Sequence, residues 1–123
     1  MSEEKSTPIG KSVDPVAASA KRVAELAFEH KLTIAIAESA TGGLISSALT
    51  NVPGSSKIFC GGVVCYRNEV KSGIMQISSQ LLKERGAVSK EVTSKLVEKL
   101  AELIPSDLGV AVTGVAGPDL DDH

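Results

Sequence analysis

Residues 33–43 constrain the fold of this chain more than any other stretch. They read Thr-Ile-Ala-Ile-Ala-Glu-Ser-Ala-Thr-Gly-Gly. A short apolar run stops at a polar and glycine cluster, and a run of Leu, Ile and Ala restarts at Leu44. The pattern predicts strand, tight turn, helix. Such a turn lies where the carboxyl end of a strand meets the amino end of a helix, and open α/β sheets bind ligands there. Glu38, Ser39, Thr41, Gly42 and Gly43 are therefore the first candidate site residues.

The rest of the chain repeats the alternation of helix and strand. Residues 1–13 read as a disordered lead-in. Asp14-Pro15 is a helix start, with Asp as N-cap and Pro at the first helical position. Val16, Ala20, Val23, Ala24 and Ala27 share one face of that helix, which ends near His30-Lys31. Residues 32–37 form the first strand, apolar enough to be central, and residues 41–50 the following helix. Pro53-Gly54 marks a loop at 51–56. Residues 57–66 form a second strand, where Gly61-Gly62 predicts a bulge or a close backbone approach.

Asn68 is expected to cap a short helix with Lys71 in its first turn. Residues 76–79 break the chain, and 80–85 form a helix ended by Gly86. Ser89 caps the clearest amphipathic helix, with Val92, Leu96, Leu100 and Leu103 as its buried stripe. Residues 108–112 form a third strand, and Thr113-Gly114-Val115-Ala116-Gly117-Pro118 a second glycine-rich turn. This order predicts a three-layer α/β/α domain with a mainly parallel sheet over residues 14–123. Right-handed crossovers bring the ends of the first and third strands to one edge, so that Ser39 and Thr113 face one pocket.

Composition agrees. Hydrophobic residues make up 42% and aromatics 2%, so the core is built from Val, Ile, Leu and Ala, as suits a parallel sheet under helices. The formal net charge of −2 suggests neither a nucleic-acid nor a membrane-surface partner. No apolar run approaches the roughly 20 residues of a membrane span, and the polar amino terminus lacks a signal-peptide core. A cytoplasmic location is the expectation. Cys60 and Cys65 are expected on opposite faces of the second strand as plain buried thiols. No spacing specifies a metal site; the acidic tail reads as a solvated end, and no cofactor is implied.

Ser39 has two readings. It is an N-cap, or it is a nucleophile or anion-holding group beside the N–H donors of Thr41 to Gly43. A nucleophile needs a base, and neither His30 nor His123 is well placed. Lys71 is the better candidate, because the positive end of a helix dipole and burial both disfavour its charged form; otherwise it is a solvated lysine. Tyr66 either binds a ligand or stands between Ser39 and Lys71, or it is a core residue with its hydroxyl at the surface.

Five motifs in register then carry a resemblance: Ala37-Glu38-Ser39-Ala40-Thr41-Gly42-Gly43, Val52-Pro53-Gly54-Ser55-Ser56, Tyr66-Arg67-Asn68-Glu69-Val70-Lys71, Gly86-Ala87-Val88-Ser89 and Val112-Thr113-Gly114-Val115-Ala116-Gly117-Pro118. Together they resemble the CinA carboxyl-terminal domain family, the nicotinamide mononucleotide deamidases. The resemblance implies an α/β/α fold and hydrolysis of the carboxamide of nicotinamide mononucleotide to nicotinate mononucleotide and ammonia. It implies Ser39 as nucleophile, Lys71 as base and Tyr66 as an assisting group. Glu38, Ala40, Thr41, Gly42, Gly43, Asn68, Thr113 and Gly114 are expected to line the substrate site. Backbone N–H groups near Ala40, Thr41 or Gly114 are candidate oxyanion donors. The phosphate is expected on the N–H groups of a helix start or on Ser55 and Ser56.

Ala40 stands where many relatives have Cys or Ser. The family pattern also continues through further strands and a final helix, whereas this chain ends at His123. A shortened domain with an exposed sheet edge is thus expected, and its alternative role is a non-catalytic nucleotide-binding or assembly module. A homo-oligomer is compatible with either role.

Overall fold

The structure, a computed structural model, describes residues 14–115. The expected lead-in at 1–13, the end of the second glycine turn and the acidic tail lie outside the described residues. Helix α1 (Pro15–His30) starts as its sequence dictates: the Asp14 carboxylate accepts the N–H groups of Val16 and Ala17. It ends at Lys31, whose φ of 56° is left-handed. Strand β1 (Ile34–Glu38) follows, then α2 (Leu44–Thr50), a 3-10 turn (Ser55–Lys57), β2 (Phe59–Val64), α3 (Asn68–Gly73), α4 (Ser79–Arg85), α5 (Lys90–Leu103) and β3 (Leu108–Val112). The sheet order is β2-β1-β3, parallel throughout. All five residues of β1 are buried, as a central strand requires.

Because successive side chains of a strand point to opposite faces, β1 divides the interior into two cores. Ile34 and Ile36 join Ala20, Ala24 and Ala27 of α1, Leu49 of α2 and Ile58. Ala35 and Ala37 face Val92, Leu96 and Leu100 of α5, with Leu82, Met75 and Ile77. These two cores make the three layers. Each fully buried Val, Leu or Ile contributes about 1.5–3 kcal/mol.

The double glycine in β2 does both things expected of it. Pairing jumps from Ile34↔Phe59 to Ala35↔Gly61, which leaves Cys60 as the bulged residue. A Cβ on Gly62 would lie 2.5 Å from the Ile36 carbonyl oxygen, so only glycine lets the strands approach there.

Several expectations are corrected. Helix α2 begins at Leu44, not at residue 41, because Gly42 and Gly43 hold φ of 62° and 105° and belong to the turn. β2 starts at Phe59, since Lys57 closes the 3-10 turn. Arg67, not Asn68, occupies the N-cap position of α3, without a side-chain cap. Leu103 is exposed because α5 ends there. Val16 and Val23 are about two-fifths exposed, since α1 covers β1 with its alanines. Cys65 is buried but Cys60, at the bulge, is exposed. Among the described residues nothing pairs with the outer edge of β3, and Leu108 and Val110 on it are exposed.

Candidate active site

The carboxyl ends of β1 and β3 and the start of α3 converge. The Ser39 N–H donates to the Val112 carbonyl at 3.0 Å, and the Cys65 N–H to the Glu38 carbonyl at 2.8 Å. Gly114 lies against Ala40: a Cβ built on it would sit 3.5 Å from the Ala40 side chain. Into this junction α3 sends Lys71, which is only 2% exposed. Its Nζ donates to Ser39 Oγ at 2.9 Å and to the Tyr66 carbonyl at 3.1 Å. Ser39 is itself buried.

Ser39 is therefore no helix cap. The N-cap position of α2 falls to Gly43, which supplies no side chain, and the Ser39 hydroxyl is committed to Lys71. The dipole argument for Lys71 does not hold, however. α3 is only six residues long and Lys71 stands in its last turn. Its setting comes instead from burial, since removing an ammonium from water disfavours the charged form.

Glu38 is fully buried. Its Oε1 accepts the Thr41 hydroxyl at 2.7 Å and the Ile45 N–H at 2.9 Å, and its Oε2 accepts the Ser46 N–H at 2.7 Å. The carboxylate thus fills the start of α2. Desolvation pushes its pKa up, but hydrogen bonds from Ser46, Thr41 and Ile45 outweigh that and hold it below the ordinary 4.5. The donors expected to hold an anion near Thr41 to Gly43 are accordingly different ones. The Gly42 N–H closes the turn on the Ser39 carbonyl, and the helix-start donors Ile45 and Ser46 are taken by Glu38. Among the described residues no backbone acceptor takes the N–H of Ala40, Thr41 or Gly114.

Tyr66 does not stand between Ser39 and Lys71, which touch directly. Its side chain is 60% exposed, and what it gives Lys71 is its backbone carbonyl. Asn68 is exposed at the first position of α3. The Thr113 hydroxyl turns to α5, 2.8 Å from Thr93 Oγ1. Ser55 and Ser56 lie elsewhere. Ser55 Oγ donates to the Thr50 carbonyl, and the adjoining Ile58 carbonyl pairs with Ile34 N at the amino end of the sheet. At about 3.3 Å per residue the strand separates them from Ser39 by roughly 16 Å.

Two contributors escaped the sequence reading: Glu38 as the cap of α2, and Thr93 as partner of Thr113. The carboxylate before Thr41 and the glycine pair was the only signal for the first. The Cys65 thiol beside the site is pushed up by burial, with Lys71 pulling it down. Among the described residues there is no cluster of three or more His, Cys, Asp or Glu to hold a metal, and no helix is long and apolar enough to cross a membrane.

Comparison with known proteins agrees with this architecture. The model of the CinA C-terminal domain matches residues 16–123. A CinA-like protein of Dictyoglomus turgidum is 46% identical over 97 residues, which is 79% of this chain and 24% of that protein. A CinA-like protein of Thermotoga neapolitana is 46% identical over 96 residues, 78% of this chain and again 24% of the relative. The chain thus spans about a quarter of the length of the curated relatives it matches. The crystal structure of a competence/damage inducible protein from Agrobacterium tumefaciens superposes with a TM-score of 0.82 at 33% identity, over 90% of this chain and 68% of that one. One from Enterobacter asburiae gives 0.83 at 26% identity, over 89% and 69%. With its family model matched over nearly all its length and its fold shared with these structures, the chain belongs to the CinA C-terminal domain family.

Proposed function

We propose that the chain is an amidohydrolase that converts nicotinamide mononucleotide to nicotinate mononucleotide and ammonia without a cofactor. The observation that carries this reading is the buried 2.9 Å contact between Lys71 Nζ and Ser39 Oγ. When the amine is neutral, the same line carries the proton from serine to lysine. Ser39 Oγ then attacks the carboxamide carbon, and the oxyanion is received by N–H groups of the Ala40–Thr41 turn or Gly114. Collapse breaks the carbon–nitrogen bond, Lys71 returns the proton to the leaving nitrogen, and ammonia departs. Water hydrolyses the acyl-serine with Lys71 again as base, restoring the hydroxyl. Asn68 and the exposed Tyr66 ring belong to the rim that would meet the substrate, and a cytoplasmic setting belongs to the same reading.

The test is ammonia release from nicotinamide mononucleotide by the purified chain and by Ser39→Ala. Turnover that the substitution abolishes is expected; turnover that survives it, or none from the parent, overturns the reading. The outer edge of β3, with which nothing pairs among the described residues, favours a second reading, a module that binds the nucleotide or assembles without turning it over. Calorimetric binding of substrate and product with no ammonia released would select that one.

A further inference from the structure

We propose that Glu38 is a positioning residue that locks the Ser39 turn, and that it contacts no substrate. The inference rests on the serine–lysine reading of the site but concerns a different group. Glu38 is the last residue of β1 and the neighbour of Ser39, and its side chain is wholly enclosed. Three internal donors already converge on its two oxygens: the Thr41 hydroxyl inside the turn, and the Ile45 and Ser46 amides in the first helical turn beyond it. Its own carbonyl accepts the Cys65 N–H. The residue therefore ties β1, the Ser39–Gly43 turn, α2 and the end of β2 to one point.

Gly42 and Gly43 make such a tie necessary. Both are left-handed, and glycine explores more backbone states than any other residue. A turn of this composition, with no side-chain cap on α2, would leave the Ser39 hydroxyl free to wander from Lys71. The Glu38 carboxylate replaces the missing cap and holds both sides of the turn at fixed distances.

A consequence follows for the ligand. The amide donors at the start of α2 are spent on the protein's own carboxylate, so the charged phosphate of a nucleotide is bound by other groups.

The experiment uses a fluorophosphonate that labels activated serines, with Ser39 followed by mass spectrometry in the full chain, the Glu38→Gln variant and the Thr41→Val variant. Glutamine keeps the size but turns one acceptor oxygen into a donor that opposes an amide N–H. Thr41→Val removes a single bond and leaves both amides held, so it reports even where the glutamine variant does not fold. The expected result is a maximal labelling rate for Glu38→Gln reduced about 10²-fold, the scale of a misplaced reactive group, at an unchanged half-saturating probe concentration. Thr41→Val shows a smaller fall of the same kind. Equal rates in all three proteins, a change confined to half-saturation, or no labelling of the parent chain overturns the proposal. Labelling without ammonia release from nicotinamide mononucleotide overturns the substrate reading and leaves this one standing.

Discussion

Two carboxylate–threonine pairs stand at opposite ends of the sheet. At the amino end, Asp107 Oδ2 accepts the Thr33 N–H at 2.8 Å and the Thr33 hydroxyl at 3.0 Å, and the Asp107 N–H donates back to that hydroxyl. At the carboxyl end, Glu38 accepts the Thr41 hydroxyl and two amides. The chemistry is nearly the same, but Asp107 is exposed and Glu38 has no exposure at all. Water can replace any bond that Asp107 loses. Around Glu38 a lost bond leaves a buried donor unpaired, which costs its full desolvation. One pair splices β1 to β3, whereas the other ties the turn that carries Ser39 to α2.

The sharpest way to break the comparison lies at the carboxyl end. Ser39→Ala and Lys71→Met should each lower ammonia release from nicotinamide mononucleotide by at least about 10³-fold. Lys71→Met should also lower the melting temperature, since it leaves the Ser39 hydroxyl and the Tyr66 carbonyl without the amine that they share. Asp107→Asn should leave the rate within about twofold, as surface changes away from special features do. Rates and thermal melts of the three variants check this.

Next in size is stability. Urea denaturation should show Glu38→Gln costing about 2–3 kcal/mol at neutral pH, the scale of bonds to a charged group. Asp107→Asn should cost about 0.5–1 kcal/mol, as for neutral bonds that water can replace. The pH dependence separates the two further. The folded Glu38 carboxyl is held below the ordinary 4.5, so its stabilisation is fully present above that value and is lost as pH falls through the folded value. The gap between parent and Glu38→Gln should stay level near neutrality and shrink below about pH 4.5. A gap that widens on acidification would contradict the assignment.

The smallest effect compares glycines on the two outer strands. A Cβ at Gly62 meets the Ile36 carbonyl oxygen at 2.5 Å and Ser46 Oγ at 3.1 Å, while one at Gly109 meets only Leu100 Cδ2 at 3.7 Å. Gly62→Ala should cost about 1–3 kcal/mol, as overpacking does, and Gly109→Ala less than about 1 kcal/mol. Equal midpoints in denaturant would mean that β2 yields where it looks tight.

Much of this was legible in sequence because it depends on local pattern. The apolar run of β1 named a central strand, Asp14-Pro15 named a helix start, and Gly61-Gly62 named a bulge. The Ser39 and Lys71 pair emerged from helix starts beside glycine turns and from the order of five motifs. What was hidden depends on where a side chain finds its partner in space. Nothing in the spelling of Glu38 says that α2 will bring two amides to it seven and eight positions on. For Tyr66 the sequence left a ligand contact, a bridge to Lys71 and a core position all open; its ring is exposed and its carbonyl meets Lys71. Ser55 and Ser56 looked like phosphate ligands, but they precede β2 and so fall at the other end of the sheet. The helix-start argument chose Lys71 for a reason that a six-residue helix does not support; burial supplies the reason instead.

The central claim is that Ser39 forms the covalent bond and Lys71 moves its proton. Rapid-quench mass spectrometry of the chain mixed with nicotinamide mononucleotide tests it most directly. The account predicts a transient ester of the nicotinate mononucleotide acyl group on the peptide that contains Ser39, absent from Ser39→Ala and strongly reduced in Lys71→Met. Ammonia released at the parent rate by Ser39→Ala, with no acylated peptide at any time in the parent chain, would contradict it.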